Sequence, residues 1–274
     1  MAISARLAER LSAGVKRFQP ILASAKTRDV NESDTSMVVT DILAEVFGYD
    51  KYSEITRELC IKGTYCDLAT RIDGKFQMII EVKAIGLELK EAHIKQAVDY
   101  AANQGIEWVA LTNGNIWKVF RVLFTKPIAA EPVLDIDLLS ISPKNGDHLE
   151  SLYLLTRESM LKSGLYAYHD HLQAMDKFYL AAVVLSDAVV ETVRRELRRL
   201  SDVKLEVDEL REALRLEVIK REVLEGEKAD SAKRKVAKAA SKALRSRSTA
   251  DNLEDAPAGP SVTDAASPDS KVGS

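Results

Sequence analysis

Cysteine is scarce in this chain. Its two, Cys60 and Cys66, match no zinc spacing, redox motif or disulfide framework, so the expected setting is a reducing cytoplasm. Long apolar runs are missing as well: none approaches the roughly 18 residues that a membrane helix needs. The opening Met-Ala-Ile-Ser-Ala-Arg, with Glu9 close behind, has no signal-peptide core. No Gly-x-x-x-x-Gly-Lys-Ser/Thr phosphate loop occurs, which leaves no ATP site in this chain and excludes a P-loop motor. Neither sign of charge dominates, with 39 basic against 42 acidic side chains and a net charge of −3. Prolines and glycines are few, and 46% of the residues are hydrophobic, enough to bury a good core across 274 residues.

What is present is periodicity. Leu7, Leu11, Val15, Phe18 and Leu22 recur at helical steps across 4–26, with Pro20 expected to kink or restart the helix. Asn31-Glu32-Ser33-Asp34-Thr35 carries capping chemistry. It opens a helix that buries Val38, Val39, Ile42, Leu43, Val46 and Phe47 and stops at Gly48. Strand character follows over 54–61, 64–72 and 75–83, then a helical pattern over about 88–104. Residues 108–112 form a short apolar strand, and Asn113-Gly114 turns the chain into another over 116–122. Helix, three strands, helix, two strands predicts an α/β layer architecture, with one further strand near 133–138. Trp108 and Trp117 fall at core positions of the last strands.

Beyond this the chain turns helical. One helix is expected over 148–162, and a long pattern starts near His171. Val193, Leu197, Leu200, Val203, Val207, Leu210 and Leu214 step by threes and fours, as an imperfect coiled-coil seam does. That predicts a homo-oligomer formed through residues 171–224. Over 228–247, eight basic residues face one acid, Asp230. Lys233, Arg234, Lys235 and Lys238 there are nucleic-acid contacts or, with equal weight, a solvated helix end. Residues 248–274 lack periodicity and read as disordered. The expected division is a domain over 1–142, a helical region over 143–227, and a basic then disordered tail over 228–274. His93, His148, His169 and His171 show no metal-ligand spacing and read as solvated or loosely packed.

The chemistry concentrates between Thr64 and Lys83. Two strands meet at Asp73-Gly74, with Asp67 on the first and Glu81 and Lys83 on the second. Strand side chains alternate, so Glu81 and Lys83 share a face. A plain two-residue turn would oppose Asp67 to Ile80, turning Asp67 away from Glu81 and splitting the apolar positions between faces. A shift of one residue repairs both faults, which predicts a three-residue connection or a bulge. One face then holds Asp67, Arg71, Gln77, Glu81 and Lys83, and the other is core. Two carboxylates beside an ammonium suit a hard cation such as Mg²⁺ and phosphoryl chemistry. Glu81-Val82-Lys83 by itself is more often a surface salt bridge. Lys83 is a general base, a water-positioning group or an electrostatic stabiliser; the sequence leaves the three open.

In Asn31-Glu32-Ser33-Asp34-Thr35, Phe47-Gly48-Tyr49-Asp50, Tyr65-Cys66-Asp67, Ile80-Glu81-Val82-Lys83, Gln96-x-x-x-Tyr100 and Leu111-Thr112-Asn113-Gly114-Asn115-Ile116-Trp117, the chain resembles the PD-(D/E)XK nuclease superfamily. It resembles in particular the N-terminal nuclease domain of type I restriction enzyme R subunits, over about residues 28–122 and without the helicase motor. The resemblance implies a restriction-endonuclease-like core and an endodeoxyribonuclease dependent on Mg²⁺, with Mn²⁺ able to substitute. Such an enzyme would act on DNA in restriction-modification or phage defence, with a partner subunit supplying specificity. It implies Asp67 and Glu81 as metal ligands with the Val82 carbonyl as an extra one, and Lys83 as the catalytic lysine. Glu32 would be the supporting helix carboxylate, with Glu45 as its rival. Gln96 and Tyr100 would contact DNA or orient the lysine. Cys66 stands where the signature has Pro. The alternative function is a catalytically idle nuclease fold serving as a DNA-binding or scaffold module that oligomerises through its coiled coil.

Overall fold

The structure is a computed structural model describing residues 3–61 and 64–254, with side chains described outside 60–65, 91 and 243–254. It divides into two compact units, Met1–His171 and Leu172–Ser274.

The first unit is built on one six-stranded sheet whose strands lie in chain order. They are β1 (Ile55–Ile61), β2 (Thr64–Ile72), β3 (Lys75–Val82), β4 (Trp108–Thr112), β5 (Ile116–Leu123) and β6 (Ala129–Asp137). Neighbours run antiparallel except β3 and β4, which are parallel. A parallel pair needs a crossover, and here it carries a 3-10 turn (Glu91–Ile94) and the helix α3 (Lys95–Gln104).

Two apolar clusters cover the two faces of the sheet. On one side Leu68, Met78, Ile80, Val82, Ala110 and Val119 join residues of α1 (Ala5–Thr27) and α2 (Glu32–Glu45). On the other, Ala69, Ile79, Val109 and Leu111 pack with Ala97, Val98, Tyr100 and Ala101 of α3. The expectation of one core face and one site face therefore changes: both faces are core, and the site occupies one end of the second. Burial on both sides also explains why β4 is apolar at nearly every position.

Each helix has a local cause. α1 buries Leu7, Leu11, Val15, Phe18 and Leu22 and continues through Pro20 without restarting. The buried Phe18 and Leu22 on either side hold the turn that the proline's missing N–H weakens. Asn31 caps α2 by accepting the Asp34 N–H at 2.9 Å. Phe47, just past its end, meets Trp117 edge-on at 5.2 Å. Both tryptophans are buried.

The expected single helix over 148–162 is two: α4 (Gly146–Tyr153) and α5 (Arg157–Leu161), because Thr156 restarts the chain as an N-cap. Leu149, Leu152 and Leu165 are buried in the first cluster. Arg157 Nε donates to both Glu54 oxygens at 2.7 and 2.8 Å, and Arg10 meets Glu158 through two 2.7 Å bonds. The first unit thus runs past residue 142, the expected boundary, and takes in α4, α5 and the start of α6 (Gly164–Ala174).

The second unit contains α7 (Lys177–Val184), α8 (Asp187–Ser201), α9 (Val207–Ala213) and α10 (Glu227–Glu254). No single helix carries the expected coiled-coil seam. Asp202 adopts a left-handed conformation that ends α8, and Leu200 and Val203 of the seam are 84% and 52% exposed. The basic stretch is not a tail either: α10 packs on α7, with Ala229 and Ala232 buried. Helix continues to Glu254 where disorder was expected from 248, and residues 255–274 lie outside the described residues. Among the described residues no helix is long and apolar enough to cross a membrane.

A fragment ending at residue 171 is expected to unfold in one cooperative transition. One ending at residue 142 loses Leu149, Leu152 and Leu165 from its core, at roughly 2–5 kcal/mol for each. Equal denaturation midpoints for the two fragments would remove α4 and α5 from the folded unit.

Candidate active site

The hairpin of β2 and β3 sets the register of the site. Asp73 and Gly74 form a two-residue turn with φ of 49° and 78°, pairing Ile72 with Lys75. Positive φ at both positions is the primed turn that suits a twisted hairpin, and Asp-Gly tolerates it. Arg71 then pairs with Phe76, but Thr70 pairs with Met78, so Gln77 is the extra residue of a bulge. Beyond it Leu68 opposes Ile80, which brings Asp67 level with Glu81. Of the two connections the sequence allowed, the chain uses the bulge.

Asp67 stands where β2 parts from both neighbours. The paired residues of β2 and β3 end at Leu68 and Ile80, and β1 skips the pair that Glu58 and Asp67 would make. Glu58 has a φ of 48° there. The Asp67 carboxylate replaces the missing backbone partner, its Oδ2 accepting the Val82 N–H at 2.7 Å. On its other edge β3 stays paired to β4, and the Lys83 N–H donates to the Thr112 carbonyl at 2.8 Å. Cys66 lies in the second apolar cluster while Leu68 lies in the first, so side-chain alternation breaks at Asp67.

Lys83 Nζ lies 2.7 Å from Glu81 Oε1 and 3.4 Å from Glu32 Oε2. Glu32 is the first residue of α2, and the start of that helix delivers it to the end of β3. Glu45, its rival, pairs with Arg17 at 2.9 Å instead. The structure therefore brings together Asp67, Glu81, Lys83 and Glu32, with the Val82 backbone bound to the first of them. Tyr100 is buried on α3 among the second cluster, and Gln96 is exposed one turn earlier. Lys233, Arg234, Lys235 and Lys238 lie on α10, in the second unit.

One lysine faces three carboxylates, an excess of two negative charges when all are ionised. Burial raises the pKa of Asp67, against the lowering by the Val82 N–H and Lys83. Burial also raises Glu81, helped by the Asp67 charge and opposed by its hydrogen bond to Lys83. For Lys83 burial pulls downward, but the bond to Glu81 and the charges of Glu81, Glu32 and Asp67 outweigh it, and the net shift is upward. The fall in pKa that a general-base lysine would need is absent. The Cys66 thiol, pushed up to about 12 by burial and then by the neighbouring Asp67 and Glu81 charges, stays neutral. Among the described residues no group of three or more His, Cys, Asp or Glu is arranged to hold a metal. Two carboxylates, a strand carbonyl and a surplus charge of −2 nevertheless suit Mg²⁺, which takes few protein ligands and keeps waters.

The sequence reading overlooked the part that Asn113 plays. It is buried, donates to the carbonyls of Ile85 and Leu87 at 3.2 and 3.0 Å, and accepts the Ile116 N–H at 2.8 Å. It thereby ties the segment leaving Lys83 to the β4–β5 turn. Asn-Gly between two strands announced the turn but not this second task. His93 Nδ1 accepts the Lys90 N–H, His148 Nδ1 accepts the Ser142 N–H, and His171 is exposed. Where a solvated or loosely packed side chain was expected, His169 is buried, between Arg121 at 2.8 Å and Glu131 at 3.2 Å.

Raised carboxyl pKa values mean that the folded state binds protons more tightly than the unfolded one, so ionised Asp67 and Glu81 cost stability at neutral pH. Asp67→Asn keeps an acceptor for the Val82 N–H and is expected to raise Tm at pH 7 without metal. The gain should shrink as pH falls into the ordinary carboxylate range, where the parent protonates. Mg²⁺ should raise the Tm of the parent more than that of the variant. A lower Tm for Asp67→Asn in metal-free buffer, measured by calorimetry, would contradict this account.

No curated protein and no solved structure matches the chain. A family match does cover most of the sheet: residues 37–133, which include Asp67, Glu81, Lys83, Gln96 and Tyr100 but not Glu32, match the type I restriction enzyme R protein N terminus.

Proposed function

We propose that this chain is an Mg²⁺-dependent endonuclease that hydrolyses DNA phosphodiester bonds in a restriction or phage-defence setting. The observation that carries the reading is the convergence at the end of β3. Asp67 accepts the Val82 N–H at 2.7 Å, and Lys83 bonds Glu81 on the same face at 2.7 Å. The family of residues 37–133 belongs to restriction enzymes and supports the same reading.

Asp67 and Glu81 hold the metal in this proposal. The N–H and C=O of one strand residue point to the same edge, so the Val82 carbonyl faces the Asp67 side with its N–H and is the further ligand. When bound there, Mg²⁺ would supply charge neutralisation at the scissile phosphate and activation of water. Lys83, held as a cation by Glu81 and Glu32, stabilises the negative charge that grows on the phosphate oxygens as water attacks. The contacts of Lys83 with Glu81 and Glu32 favour its charged form in the metal-free site and support this role over that of general base. Glu32, half exposed, positions the Lys83 ammonium. Gln96, exposed on α3 beside the sheet, contacts DNA, and Tyr100 supports the site from the core.

Plasmid nicking in Mg²⁺ tests the proposal. The parent is expected to nick supercoiled DNA. Asp67→Ala and Lys83→Ala should each lose at least about 10²-fold in rate, the usual scale for removing one preorganised charge. Glu32→Ala should lose less. Equal nicking by parent and variants would indicate a contaminant and end the claim.

A further inference from the structure

One row of residues crosses the sheet at the level of the site. Glu81 pairs with Leu111, Leu111 with Lys118, and Lys118 with Asp135. Strands lie about 4.8 Å apart, so Lys118 is roughly 10 Å from Glu81 along the same face. A cavity of about 310 Å³ opens there. Leu111 and Phe120 of the sheet and Leu89 of the segment after Lys83 supply its apolar lining, with Lys90 and Lys118 as cations. The segment bearing Leu89 and Lys90 is fixed by Asn113 through the Ile85 and Leu87 carbonyls. Neither lysine is firmly neutralised: Lys118 lies 3.7 Å from Asp135, and Lys90 3.8 Å from Glu88, both carboxylates being exposed.

We propose that this cavity is a subsite for a nucleotide flanking the scissile phosphate, with Lys118 and Lys90 on its phosphate and Leu89, Leu111 and Phe120 against its sugar or base. The inference rests on the nuclease reading and deepens it. Three features point to this occupant. Two cations over an apolar floor match the two halves of a nucleotide. The volume is that of a small-ligand site. The strand row sets the cavity on the same face as Glu81, with the buried Leu111 between them, so a strand of nucleic acid that passes the carboxylates along this row reaches it next. Asp135 weakens the grip by holding Lys118 and repelling phosphate, which gives the subsite a sign that structural damage could not imitate.

The test uses the full chain with Asp67→Asn, expected to bind without cutting, and a fluorescent DNA duplex read by anisotropy in Mg²⁺ at several salt concentrations. Added Lys118→Ala or Lys90→Ala should each weaken binding roughly three- to tenfold and lower the salt slope by about one. Lys118→Arg should retain affinity, and Asp135→Asn should tighten it. On the active background, Lys118→Ala should raise KM and leave kcat nearly unchanged. Unchanged affinity and KM for both lysine variants, with plasmid nicking intact, would overturn the subsite alone. A parent that neither nicks nor binds DNA would overturn the nuclease reading and the subsite with it.

Discussion

The hydrogen bond from the Val82 N–H to Asp67 holds the end of β3 in two directions at once. β3 is paired to β4 along one edge up to Val82 and Thr112, but its partner on the other edge stops at Leu68 and Ile80. An unpaired N–H at that depth would cost on the order of 1–3 kcal/mol. A carboxylate fills the gap, and a charge-assisted bond is stronger than the amide–carbonyl bond it replaces. Structure and proposed chemistry therefore share an atom group: the residue that completes the strand is also the one proposed to hold the metal. Moving Asp67 to improve either role would damage the other.

That bond exists only because Gln77 is extruded. Without the bulge Asp67 would oppose Ile80 and turn into the cluster that holds Leu68 and Val82. The turn favours simple pairing, since Asp73 and Gly74 adopt the two-residue geometry. The apolar positions beyond it demand the other register. Neither yields, and one residue leaves the ladder to reconcile them. Local turn chemistry and long-range burial are separate constraints, and a bulge is how a strand satisfies both.

This division marks what the sequence could reveal. The succession of strands along the chain, the apolar face of Leu68, Met78, Ile80 and Val82, and the need for a register shift follow from period-two alternation. Which form the shift would take does not, because a longer turn and a bulge leave the same apolar pattern. The choice between Glu32 and Glu45 was also hidden, since both lie on α2 and only tertiary packing turns Glu45 toward Arg17. The coiled-coil reading failed for a related reason. Spacing by threes and fours marks an apolar stripe on any helix, and nothing in that stripe announced that Asp202 would take a left-handed conformation and end it. The second apolar cluster was missed because Ala69, Ile79 and Leu111 sit on a face already assigned to polar residues.

Lys83 shows how one placement changes a chemical role. As a lone lysine on a half-buried strand it would lose its proton more easily, since burial disfavours the charged form. Set 2.7 Å from Glu81 and 3.4 Å from Glu32, it is instead held protonated. The same neighbours leave the cluster with surplus negative charge, which a bound proton or a further cation relieves. In its charged form the ammonium would meet negative charge as it grows on a phosphate. In the proposed site the carboxylates would do two things together: they would draw in a divalent ion, and they favour the charged form of the adjacent amine.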